Sequence, residues 1–192
     1  MRLRTAILLL FVCTVSSANA SVRVLVSGFA HDCYLAAQRG LGDGFSDDTC
    51  TTALADDALS PRDRAATYIN RGVVRTNWHR YDAALADFEQ AVASGAHLSP
   101  SDLGVAYVDR ATVLNQMRRY REALDSVNKG LELGAGRPEF AFYVRAISEE
   151  ELGDLKAAYY DYKHAETLVP GFTPAAEQLK RFRIGSKPAN GS

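Results

Sequence analysis

Tryptophan occurs once in this chain, methionine twice and cysteine three times. So few cysteines exclude a disulfide-dense scaffold, and they are not set among histidines at a zinc-ligand spacing. The four histidines, His31, His79, His97 and His164, stand in no catalytic or metal-binding spacing. The only glycine cluster, Gly40 to Gly44, has no lysine after it and no strand pattern before it, so it is no phosphate loop. Neither sign of charge prevails: 22 lysines and arginines meet 23 acids, for a net charge of −1. A dedicated nucleic-acid binder would be basic. No apolar run reaches the ~20 residues that cross a bilayer as a helix. No cofactor, metal site or enzyme signature is expected.

What is present is an ordinary globular composition, 47% apolar and 23% charged over 192 residues. Residues 1–20 read as a secretory signal peptide. Arg2 and Arg4 give the basic start, Ala6 to Val15 the apolar run, and Ala18-Asn19-Ala20 the cleavage site. Cleavage after Ala20 would export the chain to a periplasmic or extracellular space. It would also take the charge from −1 to −3, because Arg2 and Arg4 leave with it. Cys13 leaves too, so Cys33 and Cys50 remain as an even pair. In an exported chain such a pair favours a disulfide over two buried thiols.

Self-similarity organises the rest. From Tyr68, small or large residues fall at fixed offsets: Gly72, Ala84, Phe88 and Ala91. From Tyr107 the same offsets give Ala111, Ala123, Val127 and Gly130; from Phe142 they give Ala146, Ala158, Tyr162 and Ala165, with Pro170 after them. Small residues let two helices approach, and the large ones fill the space beside them. This pattern over about 64–170 resembles the tetratricopeptide repeat, a two-helix unit of 34 residues. The resemblance implies an all-α fold: a right-handed superhelical solenoid of helical hairpins with units near 64–97, 103–136 and 138–171. Longer links, Gly95 to Ser99 and Gly134 to Gly136, depart from the family form, and Ala96 and Ala135 replace its closing proline.

Punctuation supports the division. Ser60-Pro61-Arg62-Asp63 and Ser99-Pro100-Ser101-Asp102 are the same helix start written twice. Thr173-Pro174 opens a capping helix expected over 172–184, and 185–192 reads as a disordered tail. In 21–59, helices are expected over His31 to Arg39 and Asp47 to Leu59, forming a degenerate hairpin that brings Cys33 to Cys50. Val22, Val24, Leu25 and Val26 form a short extended segment without an evident partner.

A recurring charge needs a reading. Arg71, Arg110 and Arg145 each follow the opening aromatic by three, and Asp87 and Asp161 lie sixteen residues after the first and last arginine. The matched offset favours an Arg–Asp bridge between the two helices of a unit over an arginine ladder for an anionic ligand.

The resemblance also locates a groove on the first helices of the units. Its expected lining is Ala66, Ile69, Val73, Val105, Val108, Thr112, Phe140, Tyr143 and Ile147, edged by Thr76, Asn77, Asn115, Gln116, Glu150 and Glu151. The lysine and asparagine clamp that some family members use for a terminal carboxylate is absent, since Ile69, Val73, Val108 and Thr112 stand there. The expected function is an exported, non-enzymatic module that binds a partner peptide or protein on this concave face. The alternative is an accessory structural subunit that docks by its convex face or edge. Against a partner in the groove stand two other readings: that these residues are packed core, or that Val22 to Val26 covers them from within.

Overall fold

The computed structural model describes residues 21, 22, 28–56 and 58–182. The regular elements among the described residues are all helices, with no strand: α1 (Phe29–Gln38), α2 (Gly44–Leu54), α3 (Pro61–Asn77), α4 (Tyr81–Ala93), α5 (Pro100–Gln116), α6 (Tyr120–Glu132), α7 (Pro138–Glu151), α8 (Leu155–Leu168) and α9 (Thr173–Leu179). A 3₁₀ turn, Gly95–His97, fills the long link after α4. None of these helices is long and apolar enough to cross a membrane. The expected signal peptide and tail lie outside the described residues.

Local chemistry explains the boundaries. Ser60 and Ser99 accept the backbone N–H of Asp63 and Asp102, at 3.0 and 3.1 Å, with proline at the first helical position of α3 and α5. Asp43 does the same for Ser46 at 2.8 Å and starts α2 at Gly44, three residues earlier than expected. α2 stops at Leu54 rather than Leu59, where the Arg64 guanidinium takes the carbonyls of Leu54 and Asp56. α9 is also shorter than the 172–184 reading, yet Phe182 beyond it still packs on Tyr159 and Tyr162.

Three of the hairpin turns repeat one backbone solution. His79, Arg118 and Gly153 all take positive φ, at 57°, 59° and 90°. Around each, the next residue's N–H reaches back to the carbonyl five before it: Arg80 to Arg75, Arg119 to Leu114, Asp154 to Glu149. This left-handed exit closes a helix by capping its last carbonyls. It recurs at the 39- and 35-residue spacing of the sequence pattern.

Helices adjacent in sequence pack as pairs, α1 on α2 through α7 on α8, and α9 covers α8. The odd-numbered helices also pack on one another, α1 on α3, α3 on α5, and α5 on α7, making a continuous layer. Within pairs the small residues do what their spacing implied. A Cβ on Gly72 would stand 2.7 Å from the Phe88 ring, and Ala111 and Ala146 are fully buried. In the first pair the sulfurs of Cys33 and Cys50 lie at bonding distance, both fully buried. The Gly40–Gly44 loop abuts the end of α3. A Cβ on Gly42 would overlap the Asn77 backbone, so only glycine fits that approach.

Candidate functional site

The inter-helix arginines are structural. Arg71 holds Asp87 with Nη2–Oδ1 at 2.7 Å, and Arg145 holds Asp161 with Nη2–Oδ1 at 2.9 Å. In the middle pair Arg110 reaches only Ser126, at 3.4 Å. Each side chain is engaged inside the protein, so the matched offset of sixteen marks a bridge between paired helices, as the spacing favoured.

The odd-helix layer is the remaining candidate. The structure buries much of the expected groove lining: Ala66, Ile69, Val73, Val105, Val108, Phe140 and Tyr143 are all buried. These side chains are core and offer a partner no surface. Ile147 is half-buried. The polar edge is also partly spent within the chain. Asn115 donates to the Val144 carbonyl at 3.0 Å and accepts from Ser148 at 2.8 Å, which ties α5 to α7. Asn77 reaches the Leu41 carbonyl, and Thr76 and Thr112 donate to carbonyls of their own helices. Glu150 accepts from Tyr162 and Arg181. Gln116 and Glu151 are exposed.

Two residues absent from the expected lining carry the chemistry of this face. Asn70, fully buried on α3, holds the backbone of Val22 at two points. The Val22 N–H donates to Asn70 Oδ1 at 2.9 Å, and Asn70 Nδ2 donates to the Val22 carbonyl at 2.8 Å. A carboxamide has one acceptor and donors that match the two polar groups of a main chain. Val22 itself is 2% exposed. Val22, the first residue of the segment weighed as covering the groove from within, is thus held on α3, while Val24, Leu25 and Val26 fall outside the described residues.

Asp109 on α5 is the second. It is 4% exposed, and its Oδ2 has no hydrogen-bond partner among the described residues. Burial pushes its carboxyl well above the usual range, and Arg137 only partly opposes this. Beside it is a cavity of about 10 Å³ lined by Val105, Val108, Ala135, Arg137 and Phe140. Sequence reasoning stopped one residue short of both groups, at Ile69 and Val108. The available signal was the polar residue immediately before two of the three repeating arginines.

No family model matches the chain, and no curated protein matches it.

Proposed function

We propose that this chain is an exported tetratricopeptide-repeat interaction module that holds an extended polypeptide backbone along its odd-numbered helices. The observation that carries this reading is the two-point hold of Asn70 on the Val22 main chain. Recognition through the backbone needs few side chains, which suits a face whose apolar residues are already packed. The left-handed turns at the repeat spacing and the layer of odd helices support the solenoid. The buried cysteine pair at bonding distance supports an oxidising, exported location. The chain binds rather than catalyses, and its partner is a protein or peptide: Arg71 and Arg145 are each held by an aspartate of the paired helix rather than turned to a substrate.

Substitutions at Val108 or Tyr143 would break the core and cannot test this. A photoreactive residue at Gln116 tests it, compared with one at Tyr160, which is 60% exposed on α8. Adducts with a partner at Gln116, lost on Asn70→Ala, support the odd-helix face. Adducts at Tyr160 alone favour docking through the other side. That second reading has its own observation, an open depression of about 410 Å³ lined by Phe142, Tyr160, Asp161, Lys163, His164 and Thr167.

A further inference from the structure

Glu149 is the group of the α7–α8 pair that the packing leaves unsettled. Its Oε2 is buried and has no hydrogen-bond partner among the described residues, and its Oε1 stands 3.8 Å from Arg145 Nε. A buried polar atom without a partner costs stability, and in a native structure each such atom needs a reason. The sharing of Arg145 supplies one. Its Nε and Nη2 donate to Asp161 of α8, the second at 2.9 Å, and its Nη1 donates to Asn128 of α6 at 3.1 Å. One guanidinium thus faces two acids and one amide, and it joins three helices.

We propose that Arg145 is the moving part of a pH-sensitive switch, which ties α6 to α7 and α8 while Glu149 carries a proton and releases α6 when Glu149 ionises. The carboxyl groups of Glu149 and Asp161 face each other. Two carboxylates offer only acceptors, but a proton on Glu149 makes it a donor to its neighbour. Arg145 then keeps both Asp161 and Asn128. Once the proton is gone, two carboxylates compete for one guanidinium. Hydrogen bonds with an ionised partner at both ends outlast those to a neutral amide, so the bond to Asn128 is the one given up. The movement reaches the surface. Arg145 lies over the Phe142 ring, 5.1 Å from its centre, and Phe142 and Asp161 both line the open depression on α8. Asn70 and the backbone it holds take no part in the switch.

The groups packed around Glu149 set where it turns. Burial opposes its charge most, then Asp161; Arg145 favours the charge, and Asp154 at the start of α8 opposes it again. The carboxyl is pushed up to about 7. From α6 the contact is Asn128, which does not titrate. The other charges of that helix lie elsewhere: Arg119 is held by Glu122, Lys129 by Glu132, Tyr120 meets Glu151, and Arg121 and Asp125 are exposed. From α5, Asn115 meets Ser148, a neutral pair. From beyond α9, Arg181 is held by Glu150.

The test follows the mature chain by nuclear magnetic resonance from about pH 5 to pH 9. The Glu149 carboxyl 13C, the Arg145 Nε–H and the Asn128 side-chain amide should move together, with a midpoint near 7. Protection of the α6 amides against exchange should fall about tenfold across that range, as for one lost hydrogen bond. Amides of α3 and α4 should keep theirs. Glu149→Gln has the shape of the protonated acid. It should abolish the Arg145 and Asn128 transitions and hold α6 at its low-pH protection. If Glu149 titrates near 7 while the Arg145 and Asn128 signals and the α6 protection stay constant, the acid ionises in place and the switch is overturned. A midpoint at the ordinary glutamate value overturns it too. So does a transition that survives Glu149→Gln, because another group would then drive it.

Discussion

The first and third of the repeating helix pairs, α3–α4 and α7–α8, answer the same packing problem with opposite charges. In α3–α4, Arg71 and Arg75 share Asp87, and Arg75 also holds Asp47 of α2 at 2.6 Å. Two cations face two acids, and the network ties one pair to the pair before it. In α7–α8 the residue equivalent to Arg75 is Glu149. One cation, Arg145, now faces Asp161 at 2.9 Å and Glu149 at 3.8 Å. The link to the pair before is a neutral bond from Arg145 to Asn128 at 3.1 Å. The unbalanced acid shows the consequence: burial and the nearby Asp161 push the Glu149 carboxyl up to about 7, and its Oε2 has no partner among the described residues. A shared offset of sixteen fixes the bridge between paired helices. The residue four after each arginine decides whether that bridge is closed or left short of charge.

The largest break in this comparison should come from Asp87. Asp87→Ala leaves the part-buried Arg71 without its acid and Arg75 with Asp47 alone, and breaking such a network costs about 3–5 kcal/mol. Asp161→Ala should cost about 1–2 kcal/mol by the same reasoning, because Glu149 can ionise and take Arg145 in its place. Urea unfolding of the two variants checks this. Equal losses would show that Glu149 gives no such relief.

The N-terminal pair is held differently again, by Cys33 and Cys50, 17 residues apart. Closing a loop of that length contributes about 3 kcal/mol by constraining the unfolded chain. Replacing both cysteines with serine should lower stability by that amount and expose the amides of α1 and α2 to exchange first. Amides of α7 and α8 should keep their protection until global unfolding. Loss of protection there at the same rate would mean that the pairs unfold as one unit.

Glu149 gives the comparison a pH dependence. Its folded value of about 7 lies above the ordinary glutamate value, so the folded state binds more protons than the unfolded one between them. Stability from this group is therefore intact below about pH 4.5 and is lost as pH rises through 7. The size is about 2–3 kcal/mol, because a tenfold change in proton affinity is worth about 1.4 kcal/mol and the side chain is partly wet. Glu149→Gln should be more stable than the wild type at pH 8 and gain nothing near pH 4. A constant difference across that range would remove Glu149 as the cause.

The fold was more legible than the site, for a physical reason. Helix pairing depends on side-chain size, and size is written in the sequence: Gly72 against Phe88 could be read from an offset alone. The Ser60 and Ser99 caps were equally readable, because a cap acts within three residues. Burial of the expected groove was not readable. Ile69 and Val73 could line a groove or face a neighbouring helix, and only the packing of other helices on α3 decides between them. Asn70 looked like one more polar residue until Val22, 48 positions away, was placed against it. The early end of α2 has a similar origin, since Arg64 meets that end from the next helix.

The smallest expected effect concerns the turns that the repeating pairs share. Gly153 takes its left-handed conformation freely, at φ 90°, whereas Arg118 is held at φ 59° with a side chain attached. A non-glycine residue there is strained by about 1–2 kcal/mol. Glycine removes the strain but loses more backbone entropy on folding, which offsets part of the gain. Arg118→Gly should therefore stabilise the chain by about 0.5–1 kcal/mol, read as a rise in the melting temperature. Gly153→Ala, the reciprocal change, should cost about 1 kcal/mol, although a Cβ there meets nothing within 4 Å. The open space around Gly153 makes this a clean test: with no contact to gain or lose, any cost reads the backbone alone. If Gly153→Ala were neutral, the turns would differ in more than their residue, and the α5–α6 exit would be no guide to the α7–α8 exit.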